Sequence, residues 1–303
     1  MTVSTAAPPS GQAADFIAIA ICTLCWGTTW FAITLQLGVV DPVVSIVYRF
    51  ALAALVLFAW CALRREPLTM TRAQHLAALG IGLFTFAIDY SFVYWAEERV
   101  TSAVVAVVFA SMAFVNLIVF RVVFGQRPPA MAWGAAGLGI IGVALLSWEE
   151  IASAQFGSTA TLGIGLTFLG VLAAAIGNVY ARRGELAGAP VAALTGWAML
   201  YGAALLALFV AASGRTWAFE WTPSYLLSLL HLSINGSVVA FLLYYGLARR
   251  RGYGSASYIA ALTPPVAMIV SSLFEAKSWG VLALAGVALV LAGQWLLLRV
   301  RKA

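Results

Sequence analysis

Long apolar runs separated by short polar punctuation dominate this chain. Cutting at charge, Pro and Gly leaves ten apolar segments, at residues 16–37, 43–63, 76–96, 100–120, 130–148, 162–181, 191–213, 225–247, 255–273 and 278–298. A helix rising about 1.5 Å per residue needs about 20 residues to cross the hydrocarbon core, and each run has about that length. The runs are apolar all round. Barrel strands would alternate apolar and polar at every second position, so the pattern predicts membrane-spanning helices. Connections between the runs are too short to hold an extramembrane domain. The first fourteen residues contain no Lys or Arg, and the run that follows exceeds the h-region of a secretory leader, so the first helix is expected to be retained.

Composition agrees with this reading. Of 303 residues, 63% are hydrophobic and 9% charged, and the mean hydropathy is +0.98. A soluble domain carries roughly 25% charged residues, and so sparse a set cannot cover a water-exposed surface. The formal net charge is +6, but Lys and Arg sit in short clusters between apolar runs without a basic stripe, which excludes nucleic acid as a partner. Their distribution sets an orientation. With a cytoplasmic N-terminus, the inner ends and loops hold Arg64, Arg65, Arg72, Arg121, Arg127, Arg182, Arg183, Arg249, Arg250, Arg251, Arg299, Arg301 and Lys302. The outer side holds Arg99, Arg215 and Lys277, together with Asp41, Glu97, Glu98, Glu149, Glu150, Glu220 and Glu275. Thirteen basic residues against three require an even number of spans with both termini cytoplasmic, and ten satisfies this.

The two halves echo each other. Trp26-Gly27-Thr28-Thr29-Trp30 in the first span lies 150 residues before Ile176-Gly177-Asn178-Val179-Tyr180 in the sixth. Pro42 opens the second span and Pro190 the seventh, while Gln126 before the Gly137 helix matches Glu275 before the Gly286 helix. The register predicts a cytoplasmic tail at 1–14, a first five-helix unit at 15–148, a connector on the outer side at 149–161 and a second unit at 162–303. Five is odd, so the second unit inserts upside down, the inverted-repeat pattern of secondary transporters with a site near the midplane.

Ten helices in two fives, Trp26-Gly27 in the first, Arg49 in the second and Glu275 entering a Gly-rich last helix together resemble the drug/metabolite transporter superfamily and its EamA-type exporters. The resemblance covers nearly the whole chain. Its length and aromatic-rich helices are most similar to the YddG-type aromatic amino-acid exporters of bacterial inner membranes. It implies export from the cytoplasm by alternating opening of a central cavity. The acidic position is not duplicated, since Gln126 stands where the second half has Glu275.

Arg49 and Asp89 are the only Asp, Glu, Lys or Arg well inside the predicted spans. A charge there costs a few kcal/mol on insertion scales and therefore faces a cavity or a partner. Both lie about 10–12 Å below the outer surface at 1.5 Å per residue, which permits an ion pair locking two helices. The functional reading gives Arg49 to a substrate carboxylate and Asp89 to an ammonium group or a proton. His231 and Asn235, at i, i+4 spacing, either join helices by hydrogen bonds or carry protons.

Among the 11 Trp, 10 Tyr and 17 Phe, interfacial belts are expected to take Trp60, Trp148, Trp217, Trp221 and Trp279. Trp26, Trp30, Tyr90 and Tyr94 lie deeper, facing lipid or lining an aromatic cavity. Asn178, Tyr244 and Tyr258 complete the candidate lining, and Pro264-Pro265 in the ninth span predicts a kink or hinge. Ala135/Gly139 and Ala288/Ala292 are small-xxx-small pairs expected at close packing, within each half or between protomers. Cys22 and Cys25 read as packing residues, since a disulfide at i, i+3 is awkward in a helix. No nucleophile elbow, HExxH, phosphate loop or dinucleotide fingerprint lies in a usable context, so neither a cofactor nor a metal is expected and the chain is not expected to drive transport with ATP itself. The expected partners are a small-molecule solute and the bilayer, with proton coupling and oligomeric state left open. Neutral, preferentially aromatic amino acids and related amphipathic metabolites lead as cargo. The alternatives are a broader drug or metabolite exporter and, from another class, a membrane-embedded enzyme or helical scaffold.

Overall fold

The computed structural model describes residues 10–153, 158–275 and 279–299, and every regular element among them is helical. In chain order the first four are α1 (Ser10–Thr34), α2 (Pro42–Arg64), α3 (Arg72–Glu97) and α4 (Ser102–Phe124). Next come α5 (Ala130–Ser153), α6 (Ser158–Leu186), α7 (Val191–Ala212) and α8 (Pro223–Arg251). The single-turn α9 (Tyr253–Ala256), α10 (Tyr258–Phe274) and α11 (Val281–Arg299) follow. Among the described residues seven helices, α1–α4 and α6–α8, are long and apolar enough to cross a membrane. Shorter apolar stretches at Ala130–Gly142, Leu262–Phe274 and Val281–Gly293 lie in α5, α10 and α11. Every apolar run read from the sequence coincides with a helix, the run 255–273 falling on α9 and α10 together. Residues 1–9 of the predicted tail, 154–157 of the connector, Lys277, Arg301 and Lys302 lie outside the described residues.

Local chemistry fixes where the helices begin. Asp41 caps α2 by accepting the Val43 N–H at 2.8 Å, and Pro42 takes the first helical position, where no N–H is needed. Thr71 and Gln74 close a capping box on α3, the Gln74 N–H donating to Thr71 and the Thr71 N–H to the Gln74 amide oxygen. Thr222 caps α8 by accepting the Tyr225 N–H at 3.4 Å, with Pro223 in its first turn. Leu63, Val122 and Val281 are each more than three-quarters exposed, while Arg49, Asp89 and Asn178 are buried. An apolar exterior around polar interior positions is what a lipid solvent selects.

Two helices are wound unevenly. Gly82–Asp89 within α3 and Ile234–Val239 within α8 adopt π-helical winding, roughly 150 residues apart in the chain. The Ser237 hydroxyl donates to the Leu232 carbonyl at 2.8 Å, five residues back. The apolar pattern predicts plain α-helix at both places; wider turns here put polar residues on the bundle interior.

The small-residue packing differs from its prediction in one respect. On α11 it is Gly286 and Gly293 that face α5, whereas Ala288 and Ala292 are exposed. A Cβ on Gly142 would stand 2.6 Å from the Gly286 carbonyl oxygen, and one on Gly293 2.5 Å from that of Ala135, so these backbones touch. The close contact therefore runs between α5 and α11, one from each half of the chain.

Ion pairs tie the helix ends. Asp15 at the start of α1 accepts from Arg250 Nε at 2.9 Å and Arg251 Nε at 2.5 Å at the end of α8. At the opposite end of the bundle Arg215 holds Asp41 at 2.6 Å.

Candidate functional site

A central cavity lies between α1, α2, α3, α4, α6, α8 and α10, leaving α5, α7 and α11 outside its lining. Its walls are mainly aromatic and aliphatic. α1 supplies Trp26, Trp30 and Ile33, α3 Tyr90 and Val93, α4 Phe109 and Met112, and α8 Phe241, Tyr244 and Tyr245. The Trp26 ring packs against Phe241 and Tyr244 with centroids 5.3 Å away in each case, and its Nε1 donates to the Gly236 carbonyl at 3.1 Å. Such ring pairs each contribute about 0.5–1.5 kcal/mol beyond burial and hold the indole rigid.

Arg49 is the one Lys or Arg in this lining and is 1% exposed. Its Nε donates to Ser237 Oγ at 3.0 Å, and one terminal nitrogen reaches the Tyr90 hydroxyl at 3.5 Å. The guanidinium carbon stands 4.5 Å from the Tyr90 ring centroid and 5.3 Å from that of Phe50. Cation–π contact of this kind is worth about 2 kcal/mol once desolvated. The other terminal nitrogen, Nη1, has no hydrogen-bond partner. Asp89 also lines the cavity, 3% exposed, with Oδ1 unpartnered and packed close to Gly170 of α6. A Cβ at Gly170 would approach that oxygen to 2.9 Å.

The direct Arg49–Asp89 ion pair anticipated from sequence does not form: no contact within 4.0 Å joins them among the described residues. The π-helical winding of α8 presents Ser237 to the guanidinium, and Tyr90 stacks on it. Cation and carboxylate instead stand as separate elements of one cavity wall.

Trp26, Trp30, Tyr90, Asn178 and Tyr244 all line the cavity, as the aromatic-cavity reading requires. Tyr94 does not; it is fully buried and donates to Gln36 Oε1 at 3.0 Å, toward the Asp41 end of the bundle. His231 and Asn235 also lie outside the lining. The His231 ring bridges Thr28 Oγ1 and the Asn235 amide, each at 3.0 Å, which matches the helix-joining reading. Pro264 and Pro265 sit inside α10 next to Thr263, whose side chain lines the cavity. The Tyr258 side chain lies outside the described residues.

Sequence reading passed over five polar contributors: Thr85, Asn116, Ser237, Tyr245 and Ser257. Asn116 stands alone in the apolar run Phe114–Phe120 of α4, and an isolated amide at membrane depth was the available signal. Asn116 Nδ2 donates to Ser257 Oγ at 2.5 Å, Ser257 donates to the Tyr253 carbonyl at 2.7 Å, and Asn178 donates to the Tyr244 hydroxyl at 3.0 Å. No group of three or more His, Cys, Asp or Glu able to hold a metal occurs among the described residues. Cys22 is buried, its thiol donating to the Ala240 carbonyl at 3.4 Å.

An all-helical bundle with lipid-type exterior and an aromatic cavity around single opposite charges is the construction of a membrane transporter. The EamA-like transporter family model matches the chain twice, over residues 14–148 and 161–299, and the chain belongs to that family. Protein PagO of Salmonella typhimurium is 26% identical over 254 residues, 81% of this chain and 80% of PagO. YedA of Escherichia coli K12, an uncharacterized inner membrane transporter, is 28% identical over 250 residues, 82% of this chain and 78% of YedA. Protein PecM of Dickeya dadantii is 26% identical over 278 residues, 91% of this chain and 89% of PecM. A crystal structure only 18% identical superposes with a TM-score of 0.74 over 94% of this chain and 96% of its own, which shows a shared fold.

Proposed function

We propose that this transporter exports neutral amino acids and related amphipathic metabolites across a bacterial inner membrane, with aromatic solutes preferred, as the YddG-type exporters do. The observation that carries the reading is the cavity lining, with one buried cation, one buried carboxylate and walls of Trp, Tyr and Phe between them. Arg49 takes the solute carboxylate through its unpartnered nitrogen. Asp89 takes the ammonium, and Trp26, Trp30 and Tyr90 sandwich the side chain. A polyanion would need several inward cations and finds one.

The ten apolar segments are ten spans, in two five-helix units of opposite orientation, with both termini cytoplasmic. The double match of the family model, at 14–148 and 161–299, supports the two units. Alternating access follows from this design: the cavity opens to the cytoplasm when Asp15 releases Arg250 and Arg251, and outward when Arg215 releases Asp41.

Competition in liposomes containing only the purified protein tests the cargo. Excess phenylalanine or tryptophan is expected to slow efflux of a labelled neutral amino acid, and excess glutamate is not. Equal competition by glutamate overturns the reading.

A further inference from the structure

We infer that the cavity has a second recognition pole, built around Asn178 and Tyr244, that reads a neutral hydrogen-bonding group at the far end of the solute. The inference rests on the amino-acid reading above and adds to it a preference among aromatic cargoes: a ring carrying a para-hydroxyl over the bare ring.

α8 serves as a ruler for the two poles. Ser237 receives the Arg49 Nε–H, and Tyr244, seven residues further along α8, receives the Asn178 amide N–H. Seven residues of helix span about 10 Å. The stretch between them is aromatic, with Phe241 on α8 and the Trp26 ring lying across both Phe241 and Tyr244. An amino acid that gives its carboxylate to Arg49 and lays its ring along this stretch brings its para position to the Asn178 end.

That end is polar without being charged. Asn178 Nδ2 also reaches Asn116 Oδ1 at 3.4 Å, so its amide N–H groups are committed to Tyr244 and Asn116. No hydrogen bond engages Asn178 Oδ1 among the described residues, which leaves an acceptor in a wall of the cavity. The Tyr245 hydroxyl and Thr85 Oγ1, on two further lining residues, are buried without partners. Neutral polar atoms left uncommitted in the wall of an otherwise apolar space are costly to keep unless a ligand group satisfies them. If the network served only to join helices, its members would be fully paired within the protein.

The experiment measures inhibition of labelled phenylalanine efflux from proteoliposomes by unlabelled tyrosine and by unlabelled phenylalanine. In the wild-type protein tyrosine is expected to inhibit about fivefold more strongly, the effect of one additional buried hydrogen bond. Asn178→Leu is expected to bring the ratio of the two inhibition constants to about one, whatever happens to the absolute rate. Loss of helix joining alone would depress both constants alike and leave their ratio in place. A wild-type ratio of one or below overturns the second pole even if Asn178→Leu does not fold, and so does a ratio that survives the substitution. If phenylalanine itself fails to compete, the amino-acid reading falls and takes the second pole with it.

Discussion

A guanidinium fully enclosed by helices needs more than a counter-charge, because its planar fork has five donors to satisfy. Arg49 meets that need with a hydroxyl, a phenol and a ring face, and keeps one nitrogen in reserve. Lysine preserves the charge but has neither the Nε donor for Ser237 nor a plane to lie on Tyr90. Arg49→Lys is therefore expected to raise the KM for a neutral aromatic amino acid about tenfold or more, as loss of a charge-assisted hydrogen bond does. The KM for the matching amine without a carboxylate should move less than twofold. Efflux assays on the two solutes check this, and an equal rise for both would make the guanidinium a structural element only. Asp89→Asn gives the mirror case: the carboxylate-free amine should lose affinity about tenfold, and the amine-free acid should not. That Arg49 and Asp89 face a cavity was readable from their isolation as charges within the apolar runs of α2 and α3. Their lack of a direct pairing was not, because it depends on which neighbours claim each side chain.

The helices show where a one-dimensional pattern stops being informative. Apolar runs and caps such as Asp41-Pro42 and Thr71 with Gln74 marked the elements well, since both are written in adjacent residues. The π-helical segments of α3 and α8 were not legible: Gly82–Asp89 and Ile234–Val239 look like ordinary apolar helix, and their winding answers tertiary contacts with α6, α7 and Arg49. Small residues are equally ambiguous, since Ala288 and Gly286 both fit a packing stripe and only Gly286 lies on one. The contrast is testable. Gly142→Leu forces a side chain into the Gly286 backbone and is expected to lower the thermal unfolding midpoint in detergent by several degrees. Ala288→Leu points outward and should shift it by less than about 2 °C. Similar shifts for both would mean that α5 and α11 do not pack as described.

At the scale of the whole molecule, the cavity draws its charge pair from the first half, and the proposed polar pole centres on Asn178 and Tyr244 of the second. Arg49 and Asp89 belong to α2 and α3; Asn178, Tyr244, Tyr245 and Ser257 belong to α6, α8 and the turn before α10. A solute held between them touches both units, so relative movement of the units can expose it to either side in turn. This works only if the units insert with opposite orientation, and the placement of Lys and Arg makes that a definite expectation. Gln126, after α4, and Glu275, after α10, are matched positions 149 residues apart, with five spans between them in the proposed topology. An odd number of crossings puts them on opposite sides. In that topology Arg121 and Arg127 would flank the first on the basic, cytoplasmic side, and Glu275 would join the acids of the outer side. Fusing a periplasm-activated phosphatase after Gln126 is expected to give an inactive enzyme, and fusing it after Glu275 an active one. A fluorescent protein that matures only in the cytoplasm should give the reverse pattern, and a third fusion at Ala303 should behave like Gln126. Equal phosphatase activity at Gln126 and Glu275 would place both on one side and remove the inverted repeat. Strong activity at Ala303 with the first two still opposed would leave the repeat standing but turn the C-terminus outward, which an even span count with thirteen inner basic residues does not allow.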